Sequence, residues 1–583
     1  MSIKKIWAML LTVALSAGCL AGCGQTTEAE KETGSKSAES KQESSSAEAE
    51  STVVEEESAY PDYLNLDSYR PIVKEGEKVT LSVVTIRDGS NPTDISETFF
   101  VKFIEEKLNI DLEITAWSSE ERDERKNIML TSGEMPDILF NVALSNSNIV
   151  TYGIENELLL PVSDYINEEL TPELYALIEE YPEIKTKFTA SDGKMYSFPT
   201  ISTGLPGQNG TMGEERFFFD MDALAKIGVT EVPKTLDEFL EVLRAYKEMD
   251  PESFPVVGHR SLIEQFMRTA FGWVGGGTLS ATWDNAEQEI VVPVLTEKFK
   301  AYLETMHAMY EEGLLHEDYY TMDSNEMRAV AAERNSVVAA DYAPYLFEKV
   351  NWKSYAAASP LSSEWNETPV SSRSQQVSDT YCYISADTEY PEVCMRLIDY
   401  LYTAEGSLYS QEGAFEGSDD TLGFPGISID PETGSVTRAE GVTAGYDSGY
   451  RWVCDQIRIA GTLPINEAAQ RSLRFETVNL SEDVGMIPDY EGNGDAHYRW
   501  SVYNATKDYL VDPLPSAYRT AEQSERYSDL STVLNEHVNS EIAKFITGQR
   551  YLDEFDKFQE ELKGMGSEEY YQLILDFYKN YTR

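Results

Sequence analysis

Two cysteines, Cys19 and Cys23, lie four residues apart at the end of an apolar run, in the stretch ALSAGCLAGCGQ (14–25). The run covers about residues 6–20 and follows two lysines near the start of the chain. A positive start followed by a short apolar segment is typical of an export signal, and the segment is too short for a stable membrane span. We therefore interpret residues 1–22 as a signal peptide, and a cysteine at its end as a position for modification.

The residues before Cys23 resemble the lipobox of bacterial lipoproteins, in which a leucine-like residue and two small residues precede the cysteine. Leu20-Ala21-Gly22-Cys23 matches this pattern, whereas Ser16-Ala17-Gly18-Cys19 has serine in place of leucine. The resemblance implies a diacylglyceryl thioether and an acylated amine on Cys23. Such lipids would hold the protein on the outer face of the cell membrane. Plain secretion, without a lipid, is the alternative.

The residues after Cys23 have the composition of a tether. Residues 24–60 consist mainly of Ser, Glu, Lys, Thr and Ala, so the segment has almost nothing to bury. Such a segment cannot offset the entropy lost on ordering. We assign residues 23–74 to the lipidated cysteine and a disordered linker, and expect the folded part to begin at about residue 75.

Charge and length limit the class of protein. The chain has 583 residues, 41% of them apolar, which favours two or more packed units. Its 102 acidic and 47 basic residues give a formal net charge of -55. A surface this negative repels phosphate backbones and anionic headgroups, so nucleic acid is not an expected partner.

Catalytic motifs are absent from the sequence. It contains no His-Glu-x-x-His, Gly-x-Ser-x-Gly or Gly-x-x-x-x-Gly-Lys pattern, and its five histidines lack the spacing of metal ligands. We expect no cofactor. A glycosidase remains the alternative class, because its two carboxylates are defined in space and 102 acidic residues are available.

One stretch resembles a calcium-binding loop. DYEGNGDAHYRW (489–500) has acidic or amide residues at the first positions of such a loop, but Trp500 stands where a bidentate glutamate is needed. We therefore predict no metal site. Cys382, Cys394 and Cys454 form an odd set without metal-site spacing, and free thiols are favoured over a disulfide.

A strand and helix alternation begins the folded part. KVTLSVVTI (78–86), DLEITAW (111–117) and DILF (137–140) have the composition of buried strands, and amphipathic stretches separate them. This order predicts an α/β fold with parallel strands. Ligands of such sheets bind beyond the carboxyl ends of the strands. The pattern therefore selects the residues at those ends: Arg87, Trp117 and Asn141.

Several longer stretches carry a family resemblance: LTSGEMPDILF (130–140), YPEIKTKFTASDGKMYSFPT (181–200), 217–251, YEEGLL (310–315), 387–417 and 542–566. In this order they resemble the extracellular solute-binding lipoproteins of carbohydrate ABC importers, in the subgroup similar to LplA and distantly similar to maltose-binding protein. The resemblance implies a membrane-anchored protein that captures a small solute, namely an oligosaccharide, and delivers it to the permease subunits of an ABC transporter. It also implies a monomer.

The resemblance further implies a type II periplasmic-binding-protein fold: two α/β lobes that close over the ligand, with additional C-terminal helices. By this pattern the first lobe covers residues 75–200 and 363–420, and the second covers 201–362. Residues 421–583 would complete both lobes as a mostly helical segment.

Aromatic faces and polar side chains are what a sugar site needs, because sugars have C–H faces and hydroxyl rims. By resemblance to maltose-binding protein, Asn141, Phe219 and Tyr345 fall on sugar contacts. Other aromatic residues are candidates by type, in a chain that is 11% aromatic. The full set of predicted ligand contacts is Arg87, Trp117, Asn141, Phe219, Trp273, Tyr342, Tyr345 and Trp452.

Overall fold

A computed structural model describes residues 59–87, 91–322, 324–332, 336–344, 351–431, 434, 436–446, 449–478, 494–515 and 519–579. The strands are β1 Val79–Ile86, β2 Ile110–Trp117, β3 Ile138–Phe140, β4 Pro199–Ile201, β5 Phe218–Asp220, β6 Val256–Gly258, β7 Trp273–Val274, β8 Thr282–Asp284, β9 Glu289–Val291, β10 Val338–Ala340, β11 Tyr355–Ala357, β12 Ser371–Ser372, β13 Val377–Asp379, β14 Tyr383–Ile384, β15 Ile427–Ile429, β16 Val436–Arg438 and β17 Leu510–Val511.

The α-helices are α1 Phe99–Phe103, α2 Arg122–Ser132, α3 Asn146–Asn148, α4 Pro172–Glu180, α5 Glu183–Phe188, α6 Met221–Lys226, α7 Leu236–Met249, α8 Arg260–Thr269, α9 Lys298–Glu311, α10 Ser324–Ala332, α11 Pro391–Tyr402, α12 Ala404–Glu412, α13 Gly449–Gln456, α14 Glu467–Val478, α15 Gly494–Thr506, α16 Ala521–Ile546, α17 Phe555–Gly564 and α18 Ser567–Tyr578. Two of them continue as π-helical turns, α1 into Ile104–Leu108 and α3 into Ile149–Glu155.

The sheet of the first lobe has the order β14-β3-β1-β2. Strand β1 pairs in parallel with both β2 and β3, and β14 adds an antiparallel edge strand beside β3. The side chains of β3 are all buried, as expected of a parallel strand covered on both faces. The predicted parallel winding of strands and helices is confirmed.

The sheet of the second lobe has the order β11-β5-β10-β6. Strand β10 runs parallel to β6 and antiparallel to β5, and β11 is antiparallel to β5. Each of these strands has three residues. The carboxyl ends of β6 and β10 therefore lie at one edge, where His259 and Asp341 follow them.

Two large apolar cores correspond to the two lobes. The first contains residues from Leu64 to Ile201 and from Val377 to Ile465, and the second contains residues from Phe217 to Leu361 and from Leu530 to Tyr578. The C-terminal part of the chain is thus divided between the lobes. Helix α13 packs in the first core, whereas α16, α17 and α18 complete the second.

The chain passes between the cores along several strands that pair with one another. Strand β4 is antiparallel to β13, Ile201 also bridges to Asn466, and β12 is parallel to β17. Helix α16 adds a further connection, because it packs on α9 and α18 of the second lobe and also contacts α3 and the following π-helical turn of the first.

The folded part begins earlier than the sequence predicts. Residues 59–74, which we assigned to the linker, pack on the first lobe. Leu64, Ile72 and Val73 are at most 2% exposed, and the amide of Ile72 donates to the carbonyl oxygen of Leu108 at 2.9 Å. These apolar side chains supply the burial that the Ser- and Glu-rich residues before them lack. The predicted Cys23 lies outside the described residues.

Two further observations concern membrane contact and thiols. Within the described residues, every helix is too short or too polar to cross a lipid bilayer. Cys382 and Cys394 are buried free thiols, and Cys454 is a partly buried free thiol.

Candidate ligand-binding site

The carboxyl edge of the first-lobe sheet presents Asn141 and Tyr381 side by side. Asn141 follows β3, Tyr381 precedes β14, and the amide of Val142 donates to the carbonyl oxygen of Tyr381 at 3.1 Å. Both have left-handed backbones, with φ of 60° and 54°. The amide of Tyr381 donates to Asp379 at 2.8 Å, which holds the backbone in this conformation, and its side chain is 39% exposed. Tyr381 was missed in the sequence, because a left-handed tyrosine has no local signal there.

Arg87 lies at the same edge but points into the protein. Its guanidinium donates to the carbonyl oxygen of Thr93 at 2.8 Å and to the carboxylate of Asp455 at 3.3 Å, and the side chain is 10% exposed. Burial acts to raise the pKa of Asp455, but hydrogen bonds from Tyr446 and Thr93 outweigh it and hold the pKa below its ordinary value. Asp455 is therefore ionised and compensates the charge of Arg87.

The two predicted tryptophans of the first lobe are buried. Trp117 is 6% exposed and packs with Val84, Leu139 and other side chains on one face of the sheet. Trp452 is 3% exposed in the large core, with the guanidinium of Arg438 at 5.5 Å from its ring centre. Both rings are thus covered by protein atoms, and a direct ligand contact remains a prediction for both.

Phe219 and Trp273 lie in the core of the second lobe. Phe219 is fully buried, with the rings of Phe217 and Phe239 at 6.1 and 6.2 Å. Trp273 is 2% exposed, stacks on Phe271 at 5.4 Å and donates its indole N–H to buried Asp284 at 3.1 Å. Because these rings are covered by protein atoms, neither presents a face to a ligand in this structure.

Tyr342 lies at the carboxyl edge of the second-lobe sheet and is 65% exposed. Its ring centre is 6.2 Å from that of His259, which follows β6, and the rings are inclined by 60°. Exposed Tyr342 and His259, whose side chain is 26% exposed, form an aromatic corner. The predicted Tyr345 lies outside the described residues.

Asp341 fixes this corner from beneath. It is fully buried, accepts the amide N–H of Tyr342 at 2.7 Å and Nε of Arg328 at 2.8 Å, and lies 3.5 Å from Nε2 of His259. Gly258 allows this approach, because a Cβ there would lie 2.3 Å from the carbonyl oxygen of Ala340. Asp341, His259 and Arg328 were missed in the sequence, where nothing indicates that residues so far apart meet.

A polar cluster lies where the chain enters the second lobe. The side chain of Ser372 donates to Glu214 at 3.2 Å and its amide donates to Glu215 at 3.2 Å. Burial, together with the charge of Glu215, raises the pKa of Glu214 to about 7. Burial lowers the pKa of Lys187, which donates to the carbonyl oxygen of Val377 at 2.6 Å, to about 8. Charged groups thus lie among the strands that join the lobes.

Among the residues that the structure describes, no three His, Cys, Asp or Glu side chains are grouped so as to hold a metal ion. The first residues of the calcium-loop resemblance, 489–493, lie outside the described residues, and α15 begins at Gly494.

Comparison with known proteins assigns the family. The family of bacterial extracellular solute-binding proteins matches residues 99–411, more than half of the chain. The chain belongs to this family. It is accordingly a solute-binding protein that acts outside the cytoplasm, and not a glycosidase. Its fold is the predicted type II fold of two lobes.

Two relatives whose names state a ligand are similar to this chain, one over most of its length and the other over less than half. FusA of Streptococcus pneumoniae serotype 4, a fructooligosaccharide ABC transporter substrate-binding protein, is 22% identical over 531 residues, which cover 87% of this chain and 91% of FusA. The structure of FusA in complex with kestose has a TM-score of 0.66 at 19% identity, and covers 86% of this chain and 99% of FusA. YtcQ of Bacillus subtilis, a polygalacturonan/rhamnogalacturonan-binding protein, is 22% identical over 263 residues, 44% of this chain and 48% of YtcQ.

Proposed function

We propose that this protein captures an oligosaccharide between its two lobes. One observation carries the proposal: each sheet presents, at its carboxyl edge, an exposed tyrosine beside a polar side chain. Tyr381 adjoins Asn141 in the first lobe, and Tyr342 adjoins His259 in the second. These are the groups that a sugar requires, because flat rings cover its C–H faces while amide and imidazole groups bind its hydroxyls.

The remaining predicted residues act less directly in this proposal. Trp117 and Trp452 support the first edge, Arg87 holds the backbone at Thr93, and Tyr345, which lies outside the described residues, is a proposed solute contact. The strands that join the lobes serve as the hinge. A solute that contacts both edges stabilises the closed arrangement, because it binds that arrangement better than the open one.

The relatives support the nature of the ligand and partner. FusA is named for fructooligosaccharides and YtcQ for polygalacturonan, and both are binding proteins for sugar polymers. We propose that this protein, as a monomer, likewise delivers its solute to the permease subunits of an ABC transporter.

A saccharide screen by thermal shift tests the proposal. The purified protein is heated with fructo-, malto-, xylo-, galacto- and manno-oligosaccharides and with oligogalacturonates, and hits are measured by calorimetry. We expect at least one saccharide to raise Tm and to bind without being cleaved. The double variant Tyr342→Ala/Tyr381→Ala should lose that shift while keeping the Tm of the free protein. If no saccharide stabilises the protein, the proposal is wrong.

We also propose that Cys23 carries the lipid anchor. Each buried CH2 of an acyl chain contributes about 0.8 kcal/mol, so several chains hold a protein where one is marginal. Cys23→Ser should move the protein from the membrane fraction to the medium or soluble fraction, whereas Cys19→Ser should not. Release by both variants, or by neither, would contradict this assignment.

A further inference from the structure

At the carboxyl edge of the first-lobe sheet, the positive charge of Arg87 is neutralised by a carboxylate of the protein. Arg87 donates to both the backbone and the side chain of Asp455, at 2.9 and 3.3 Å. Asp455 is 1% exposed in its side chain and is held by Thr93 and Tyr446 at 2.7 and 2.6 Å. To contact a ligand, Arg87 would have to leave a buried carboxylate without its partner.

The carboxyl edge of the second-lobe sheet also has an arginine paired with a buried aspartate. Arg328 of α10 donates its Nε to Asp341 at 2.8 Å and a second nitrogen at 3.4 Å. Asp341 has no exposed surface, and Arg328 is 32% exposed. The pair leaves no net charge beneath Tyr342 and His259.

Two more cations adjoin these edges, and each has a carboxylate partner. Lys126 donates to Asp123 at 2.9 Å and to the carbonyl oxygen of Ala143, two residues beyond Asn141, at 3.2 Å. Arg260, next to His259, lies 3.4 Å from Glu264, and its guanidinium is 5.4 Å from the centre of the Tyr320 ring.

From these pairs we infer that the ligand is an uncharged oligosaccharide and not a uronate. The inference rests on the proposed function and narrows it, because the names of the relatives include both a fructooligosaccharide binder and a polygalacturonan binder. Each of these four cations is committed to a carboxylate of the protein, so the groups that the two edges offer to the ligand are amide, phenol and imidazole.

The physical reason is the cost of an unpaired charge. A uronate carboxylate loses its hydration on entering a closed site and needs a cation in return, but taking an arginine from buried Asp455 or Asp341 leaves that aspartate unpaired. Sugar hydroxyls carry no such cost, since amides and imidazoles both donate and accept hydrogen bonds. The net charge of -55 adds a repulsive field for anions.

Calorimetry at 50 and 300 mM NaCl tests the inference with kestose, maltotriose, xylotriose, galactotriose and mannotriose against trigalacturonate and trimannuronate. We expect a neutral trisaccharide to bind with a Kd that is insensitive to salt, and the acidic ones to bind weaker by about tenfold or more. Tighter binding of an acidic trisaccharide would overturn the inference and leave the proposed function intact. Binding of no saccharide would refute both, so the two failures are distinguishable.

Variants in which an arginine loses its aspartate partner provide a second test of the inference. Asp341→Asn frees Arg328 and Asp455→Asn frees Arg87, and either, if folded by its melting curve, should strengthen trigalacturonate binding by about tenfold. Asp420→Asn is the control. It also removes one negative charge from an arginine–aspartate pair, but its partner is Arg70 in the N-terminal segment and not an arginine at the two edges. No gain in either folded variant, or an equal gain in the control, would contradict the role of these pairs.

Discussion

The two lobes form similar carboxyl edges from chain segments of very different spacing. In the first lobe, β1, β2 and β3 follow one another within residues 79–140 and are all parallel. In the second, the four strands are drawn from residues 218–357 and run in mixed directions. When the strands of a sheet follow one another in the chain, the sequence predicts both the strands and the edge that they form. When a sheet is assembled from short strands far apart in the chain, the sequence does not predict that edge.

The edges also differ in what they expose. In the first lobe the residues that follow β1 and end β2 turn inward, Arg87 onto Asp455 and Trp117 onto the sheet. In the second, Tyr342 after β10 remains 65% exposed, while Phe219 inside the sheet is fully buried. A place at or near a strand end is therefore insufficient to define a ligand contact, because neighbouring elements decide which way the side chain faces.

The largest expected effect is loss of stability on truncating Phe219. Phe219→Ala removes a fully buried ring from the second core, and we expect it to lower the free energy of unfolding by about 3–5 kcal/mol. Urea unfolding of the ligand-free protein measures this loss. Tyr551→Ala, at a side chain that is 73% exposed, should change the same quantity by less than about 0.5 kcal/mol. Similar losses in both variants would show that Phe219 is not a core residue.

The two arginine pairs should differ in their contribution to stability. Asp455→Asn leaves Arg87, 10% exposed, without its charged partner, and we expect a loss of about 3 kcal/mol. Asp341→Asn should cost less, because Arg328 is 32% exposed and can be hydrated. Urea unfolding of both variants gives the comparison. A larger loss for Asp341→Asn would reverse the difference inferred between the edges.

The exposed tyrosines should matter for binding and not for folding. Tyr342→Ala and Tyr381→Ala should each weaken binding of the best saccharide from the screen by about 1–3 kcal/mol, as expected of aromatic contacts. Their unfolding free energies without ligand should stay within about 0.5 kcal/mol of the unmodified protein. Tyr342→Phe keeps the ring and should bind nearly normally. A loss in only one of the two alanine variants would confine the site to one lobe.

The last expected effect is a pH dependence that arises in the polar cluster between the lobes. Because the pKa of Glu214 is raised from 4.5 to about 7, the folded state binds more protons than the unfolded state between these values. Stability should therefore fall as pH rises from about 4.5 to 7, by at most about 1.4 kcal/mol per pH unit. Glu214→Gln should flatten the dependence of unfolding free energy on pH. Glu241→Gln, at an exposed position of α7, is the matched control and should leave the slope unchanged.

Much of the first lobe was predictable. The strands at 78–86, 111–117 and 137–140 were placed within about a residue of their observed bounds, because β-branched runs between amphipathic helices follow simple periodicity. The start of the fold was placed too late, at 75, because Leu64, Ile72 and Val73 already pack on the first lobe. The apolar residues among 59–74 are too sparse to indicate a strand or helix in the sequence.

By itself, the sequence determined the α/β class, the family and the acidic charge, since each depends on residues close together or on composition. For the same reason it predicts an export signal and a lipid anchor at Cys23, which stay predictions. It also selected Asn141 and Tyr342, which the structure places at the edges. Only the tertiary structure decided that Phe219 and Trp273 lie in a core and that Tyr381 adjoins Asn141. It also decided that Arg87 and Arg328 meet buried aspartates, one of them 368 residues along the chain. Burial and charge pairing depend on contacts between distant segments, and local sequence patterns carry no record of those contacts.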